Sequence, residues 1–154
     1  MIAPATQRER LILAAAVAFT VDLLLGVLIW RLLPPGWRVL ELHGNSLIQP
    51  AHCLAGAFSL LLGGWIGGRR FLPLGVALMF ALQLLALGLL VQLADRHMPQ
   101  RPLWLTIQDV LASNVLGVGL QLLAAALGAL AGAALHARRP LFPSPKESTC
   151  PRLS

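Results

Sequence analysis

An aspartate stands in the middle of an apolar run: Asp22, in LILAAAVAFTVDLLLGVLIW. A charge at the centre of a membrane helix costs about 2.5–3.5 kcal/mol on the insertion scale, so such residues face a bundle interior and often do work there. Two roles suit Asp22. It is a carboxylate that binds a cation or relays a proton, or it is a hydrogen-bonding group that locks helices together. For the second role the partners expected at its depth are Gln83 and Gln121, whose amides donate to a carboxylate.

A second polar set lies further along, at Gln108, Asp109, Ser113, Asn114, Gly117 and Gln121. Asn114, Gly117 and Gln121 follow i, i+3, i+7 spacing and share one helical face, with Gly128 and Gly132 close to it. In lipid, amides of this kind cross-link helices at about 1–2 kcal/mol or less each. Hydrogen bonding between helices is the first reading of this face and a polar pathway the second.

His43, His52 and His97 form a third group, with Cys53 beside His52. Histidines on different helices can hold haem, and histidine with aspartate can hold a metal. No spacing here matches a defined metal motif, so no cofactor and no metal is expected. His52 is expected to hydrogen-bond Asp109 or Asn114. There is no G-x-S-x-G, H-E-x-x-H, C-x-x-C or Walker loop in the chain. The chain therefore reads as non-enzymatic, with a membrane-embedded lipid-modifying enzyme using His52 and Asp109 as the third functional reading.

The elements that must position these residues are membrane spans. Of 154 residues, 57% are hydrophobic and 12% charged, with a mean hydropathy of +0.76. A soluble domain of this size needs more polar surface. A membrane helix needs about 20 apolar residues. The apolar runs predict four spans, at 11–33, 51–66, 71–94 and 110–135. Pro34-Pro35-Gly36 ends the first, and residues 37–49 read as a mixed, headgroup-level amphipathic piece. A tight turn at 67–70 makes the second and third spans antiparallel neighbours. Residues 103–135 are too long for one bilayer crossing and too short for two, so 103–109 is expected as an interfacial lead-in.

Residues 1–10 read as a cytoplasmic leader and 140–154, with four prolines, as a disordered cytoplasmic tail. A signal peptide fits the N-terminus less well, because its apolar core should span only about 7–15 residues. The net charge is +6, yet the arginines sit in pairs at the ends of apolar runs and form no stripe with aromatics, which argues against nucleic acid. With four spans, eight of the twelve Lys and Arg residues fall on one side and four on the other. That asymmetry puts both termini in the cytoplasm of a bacterial inner membrane. Cys53 and Cys150 then lie on opposite sides and do not pair.

Small residues supply the packing. Ser59, Gly63 and Gly67 fall four apart on one face of the second span, widened by Gly64 and Gly68. Close backbone approach at such residues holds membrane bundles together. Gly63 matches Gly132 and Arg69-Arg70 matches Arg138-Arg139 at an offset of 69. This is either a parallel repeat of two helical hairpins or the chance alignment of leucine- and alanine-rich helices. The expected fold is all-α, an integral membrane bundle of four transmembrane helices. The expected role is to pack with itself or with a larger membrane complex in the lipid bilayer. A small proton- or cation-coupled transporter or channel using Asp22 is the alternative.

Overall fold

The computed structural model describes residues 6–42, 46–98 and 100–141. His43, Lys146 and Cys150 lie outside the described residues, as does nearly all of the expected tail. Three helical runs are long and apolar enough to cross a membrane: Gln7–Leu32, Pro50–His97 and Leu103–Arg138.

The first run is α1, Gln7–Leu32. It begins four residues earlier than the apolar run because Thr6 and Glu9 form a capping box. The Thr6 hydroxyl accepts from the Glu9 amide, and the Glu9 carboxylate accepts from the Thr6 amide, both at 3.2 Å. Two otherwise orphaned donors are satisfied in this way. Pro34 and Pro35 stop the helix, and Pro35 opens the single turn α2, Pro35–Arg38.

A β-hairpin replaces most of the amphipathic piece expected over 37–49. Strand β1, Leu40–Leu42, pairs antiparallel with β2, Ser46–Ile48, with Leu40 opposite Ile48. The backbone polar groups of this stretch are thereby paired with each other, the condition for placing it against apolar helices.

The second run is broken at Gly68. Helix α3, Pro50–Gly67, ends in a 3-10 turn, Gly68–Arg70, and α4, Phe71–His97, follows. Gly68 has φ +66°, a left-handed conformation that glycine adopts without steric cost. The chain doubles back there. Gly63 lies against the Phe71 ring and Gly56 against the end of Met79, so α4 turns back beside the end of α3. It then packs mainly on the third run, Leu103–Arg138, and the second and third spans, expected as antiparallel neighbours, touch only slightly.

Helix α5, Leu103–Arg138, is a single rod of 36 residues, about 54 Å at 1.5 Å per residue. The lead-in expected over 103–109 is continuous with the rest. No proline or glycine interrupts 103–116, so nothing there ends the helix. The main partner of α3 is α5, followed by α1, while its contact with α4 is slight. α3 and α5 run parallel, with Gly64 beside Ala129 and Ala133, and Gly132 beside Leu61 and Trp65. Gly64 and Ala133 stand 69 residues apart, the offset of the apparent repeat. Because α5 is twice the length of α3, the hairpin fills the space above the start of α3, with the Leu47 carbonyl against Gly117.

The side chains are sorted by size in a direction opposite to a soluble core. Ala14, Ala18, Ala125, Ala129 and Phe71 are buried, while Leu24, Val27, Leu85, Leu89, Val115 and Leu123 are each more than half exposed. Most leucines and valines face outward, and the helix contacts are built mainly on alanine and glycine, with Phe71, Leu60, Ile66 and Met79 as the large side chains among them. Both hallmarks belong to helices solvated by lipid.

Candidate functional site

A cavity of about 240 Å³ lies at the hairpin end of the bundle. Its walls come from Trp30 at the end of α1, Leu47 of β2, Gln49 and His52 at the start of α3, and the facing sides of α4 and α5. The shortness of α3 creates it: the helix stops one level below the hairpin, while α4 and α5 continue past.

Gln83 of α4 and Gln121 of α5 meet at this cavity. Gln83 Nε2 donates to Gln121 Oε1 in a short hydrogen bond. Gln121 is only 8% exposed and uses its carbonyl alone. Asn114, two turns nearer the start of α5, also lines the cavity. Its Nδ2 donates to the Val110 carbonyl at 2.9 Å and to Ser113 Oγ at 3.2 Å, which fixes the rotamer within its own helix. Ser113 Oγ in turn donates toward the Asp109 carbonyl at 2.8 Å.

Asp22 does not join them. The expectation that Gln83 and Gln121 would serve as its partners is corrected: the two amides satisfy each other across α4 and α5. Asp22 faces Ser59 instead, with Ser59 Oγ 3.4 Å from Asp22 Oδ1 and 3.0 Å from the Gly56 carbonyl. A hydroxyl has one proton, and the shorter, intrahelical acceptor competes for it. The link to Asp22 is therefore long and weak.

Asp22 and His52 share a second concavity with Gly26, Trp30 and Arg31, on the outer side of the α1–α3 pair. His52 lines both spaces and so forms part of the wall between them. It packs toward Gly26. The expected bond from His52 to Asp109 or Asn114 is absent. Asp109 points the other way, to Arg101, with Asp109 Oδ2 2.6 Å from Arg101 Nη2 and both side chains well exposed. It is a rim residue, because it lies only two turns into the long α5. His97 also stays local, with Nδ1 2.7 Å from the Leu93 carbonyl. Among the described residues no three of His, Cys, Asp and Glu come together in a way that would hold a metal.

Away from the cavity the helices pack closely through small residues. Ser59, Gly63 and Gly67 do form one face, directed at Ala18, Ala14 and Phe71. Gly64 faces the opposite way, onto the Ala129 carbonyl. The single wide groove expected on α3 is thus two separate seams, one for α1 with Phe71 and one for α5. Gly128 and Gly132 belong to the second seam. A Cβ on either would run into the backbone of α3, at Ala57 and Leu61 respectively.

Two features have no clear signal in the sequence. Thr106, 5% exposed, has a buried hydroxyl with no partner among the described residues. At the opposite end, His136 Nδ1 lies 2.6 Å from the Trp65 carbonyl, and Trp65 Nε1 donates to the Arg139 carbonyl at 2.9 Å. That clasp ties the ends of α3 and α5 together. The offset of about 70 residues between the two arginine pairs is the only hint of it.

No protein family, no curated protein and no solved structure matches this chain.

Proposed function

We propose that the chain is a small, non-enzymatic integral membrane protein that crosses a bacterial inner membrane four times and packs with itself or with a larger membrane complex. The observation that carries the reading is the sorting of side chains, with helix contacts built mainly on alanine and glycine and most leucines and valines facing outward. The count of four rests on the reversal at Gly68. Helix α3, at 18 residues, is about 27 Å long, close to the thickness of a hydrocarbon core. Arginine pairs at the end holding the Gly68–Arg70 turn support a cytoplasmic location for that end and for both termini. Gly88 on α4 and Gly119 on α5 have open space around them, which leaves room for a further helix to approach closely.

The test is assembly in the native membrane. Expressed at low level with a fluorescent tag and counted by single-molecule photobleaching, the protein should appear in units of more than one copy, or co-migrate with a larger membrane assembly. A solitary monomer would overturn the packing role.

The transporter reading keeps one supporting observation, the polar cavity. It moves away from Asp22, which does not line that cavity, toward Gln83, Asn114 and Gln121. The lipid-enzyme reading draws no support from the geometry, since Asp109 is bonded to Arg101 and lines no space shared with His52.

A further inference from the structure

The cavity at the hairpin end has a wall without fixed charge. Its polar groups are the side chains of Gln49, His52, Gln83, Asn114 and Gln121, and no Asp, Glu, Lys or Arg lines it. Arg31 and Asp22 open on the other concavity, and Arg101 and Asp109 neutralise each other at the rim. An ionic solute would lose its hydration here and find no countercharge. A hydrocarbon would leave the amides without partners.

The amides retain hydrogen-bonding capacity of both kinds. In the Gln83–Gln121 pair the Gln121 amino group and the Gln83 carbonyl are not used by each other. Asn114 commits its amino group within α5, which leaves its carbonyl. The residues that keep a free donor and two free acceptors thus line one space, with Leu87 and Val118 as apolar wall. A hydroxyl or a primary amide, each both donor and acceptor, complements such a set.

We infer that this cavity is a binding site for a small uncharged solute, a polyol or an amide. The inference rests on the membrane-spanning reading and deepens its transport alternative.

The test uses the full chain in lipid vesicles with Cys53→Ser and Cys150→Ser, carrying Ala86→Cys on the cavity wall. A hydrophilic methanethiosulfonate reagent is applied with rising concentrations of glycerol, erythritol, xylitol, urea or acetamide, and of glycolate or ethanolammonium as charged counterparts. Expected is labelling of Ala86→Cys that at least one uncharged probe slows to a plateau and the charged probes leave unchanged. Gln121→Leu with Asn114→Leu should abolish the protection while the cysteine still labels. If that double variant does not fold, Gln83→Leu replaces it with the same expectation. Labelling that no uncharged probe slows, equal protection by charged probes, or no labelling at all would overturn the proposal. Leu85→Cys, on the exposed apolar side of α4, separates the two readings. It should stay unlabelled in a bilayer, and rapid labelling there would overturn the membrane reading and the site with it.

Discussion

The hydroxyl of Ser59 on α3 lies 3.4 Å from Oδ1 of Asp22 on α1, across the seam where Gly63 and Gly67 meet Ala18 and Ala14. An ionisable side chain is thus placed beside a single, shared donor. The contact tells what Asp22 contributes to folding and sets up a direct test.

Asp22→Asn retains an acceptor oxygen for Ser59 and should match the parent in thermal stability in detergent. Asp22→Leu and Ser59→Ala should each lose about 1 kcal/mol or less, with a coupling near 0.6 kcal/mol in the double-mutant cycle. Parent-like stability of Asp22→Leu would show that the link holds nothing together. Unfolding of Asp22→Asn would show that the bundle needs the carboxylate itself.

The α3–α5 seam makes a sharper prediction. Gly132→Leu drives a side chain into the backbone of α3 at Leu61 and Trp65, whereas Gly119→Leu enters open space. Overpacking costs about 1–3 kcal/mol where neighbours can shift, and a backbone neighbour shifts least. Gly128→Leu should behave like Gly132→Leu, because it meets Ala57. Melting followed by circular dichroism in mild detergent checks this. Equal melting of the Gly119 and Gly132 variants would remove the seam from the account.

These residues also show what a sequence discloses in a chain of this kind. Gly128 and Gly132 were legible as packing residues because four-residue spacing puts them on one face regardless of the partner. Asp22 was expected to face the interior because lipid penalises charge; it is half-buried, between Ser59 and the concavity it shares with His52. Its partner was not legible. Gln83 and Gln121 are equally good donors by composition, and only the packing of α4 on α5, after the turn at Gly68, brings them to each other. Likewise nothing in residues 37–49 distinguishes an amphipathic turn from a hairpin. The choice is made by the length mismatch between α3 and α5, which leaves a gap of that depth beside Gly117.

The clasp at the far end predicts a local effect. The Trp65 carbonyl is one of the last four in α3 and lacks an intrahelical partner. His136 supplies one, and the imidazole also packs on Gly68. His136→Ala should cost about 0.5–1.5 kcal/mol and speed amide exchange in the Gly68–Arg70 turn without changing exchange around Asn114. Gly68→Ala should destabilise as well, since φ +66° with ψ −157° is a conformation essentially restricted to glycine, costing other residues about 1–3 kcal/mol, and the new Cβ would stand 3.0 Å from His136 Cδ2. Unchanged exchange in the turn of His136→Ala would mean that the histidine caps nothing.

The central claim is that the helical run Pro50–His97 crosses the membrane twice by reversing at Gly68. It is tested by sided labelling of single cysteines in intact cells, with Cys53 and Cys150 replaced. The account predicts that Gln100→Cys reacts with an impermeant maleimide from outside. Arg69→Cys and tags at both termini should become accessible only after the inner membrane is opened. Termini on opposite sides of the membrane, the result for an odd number of crossings, would contradict it.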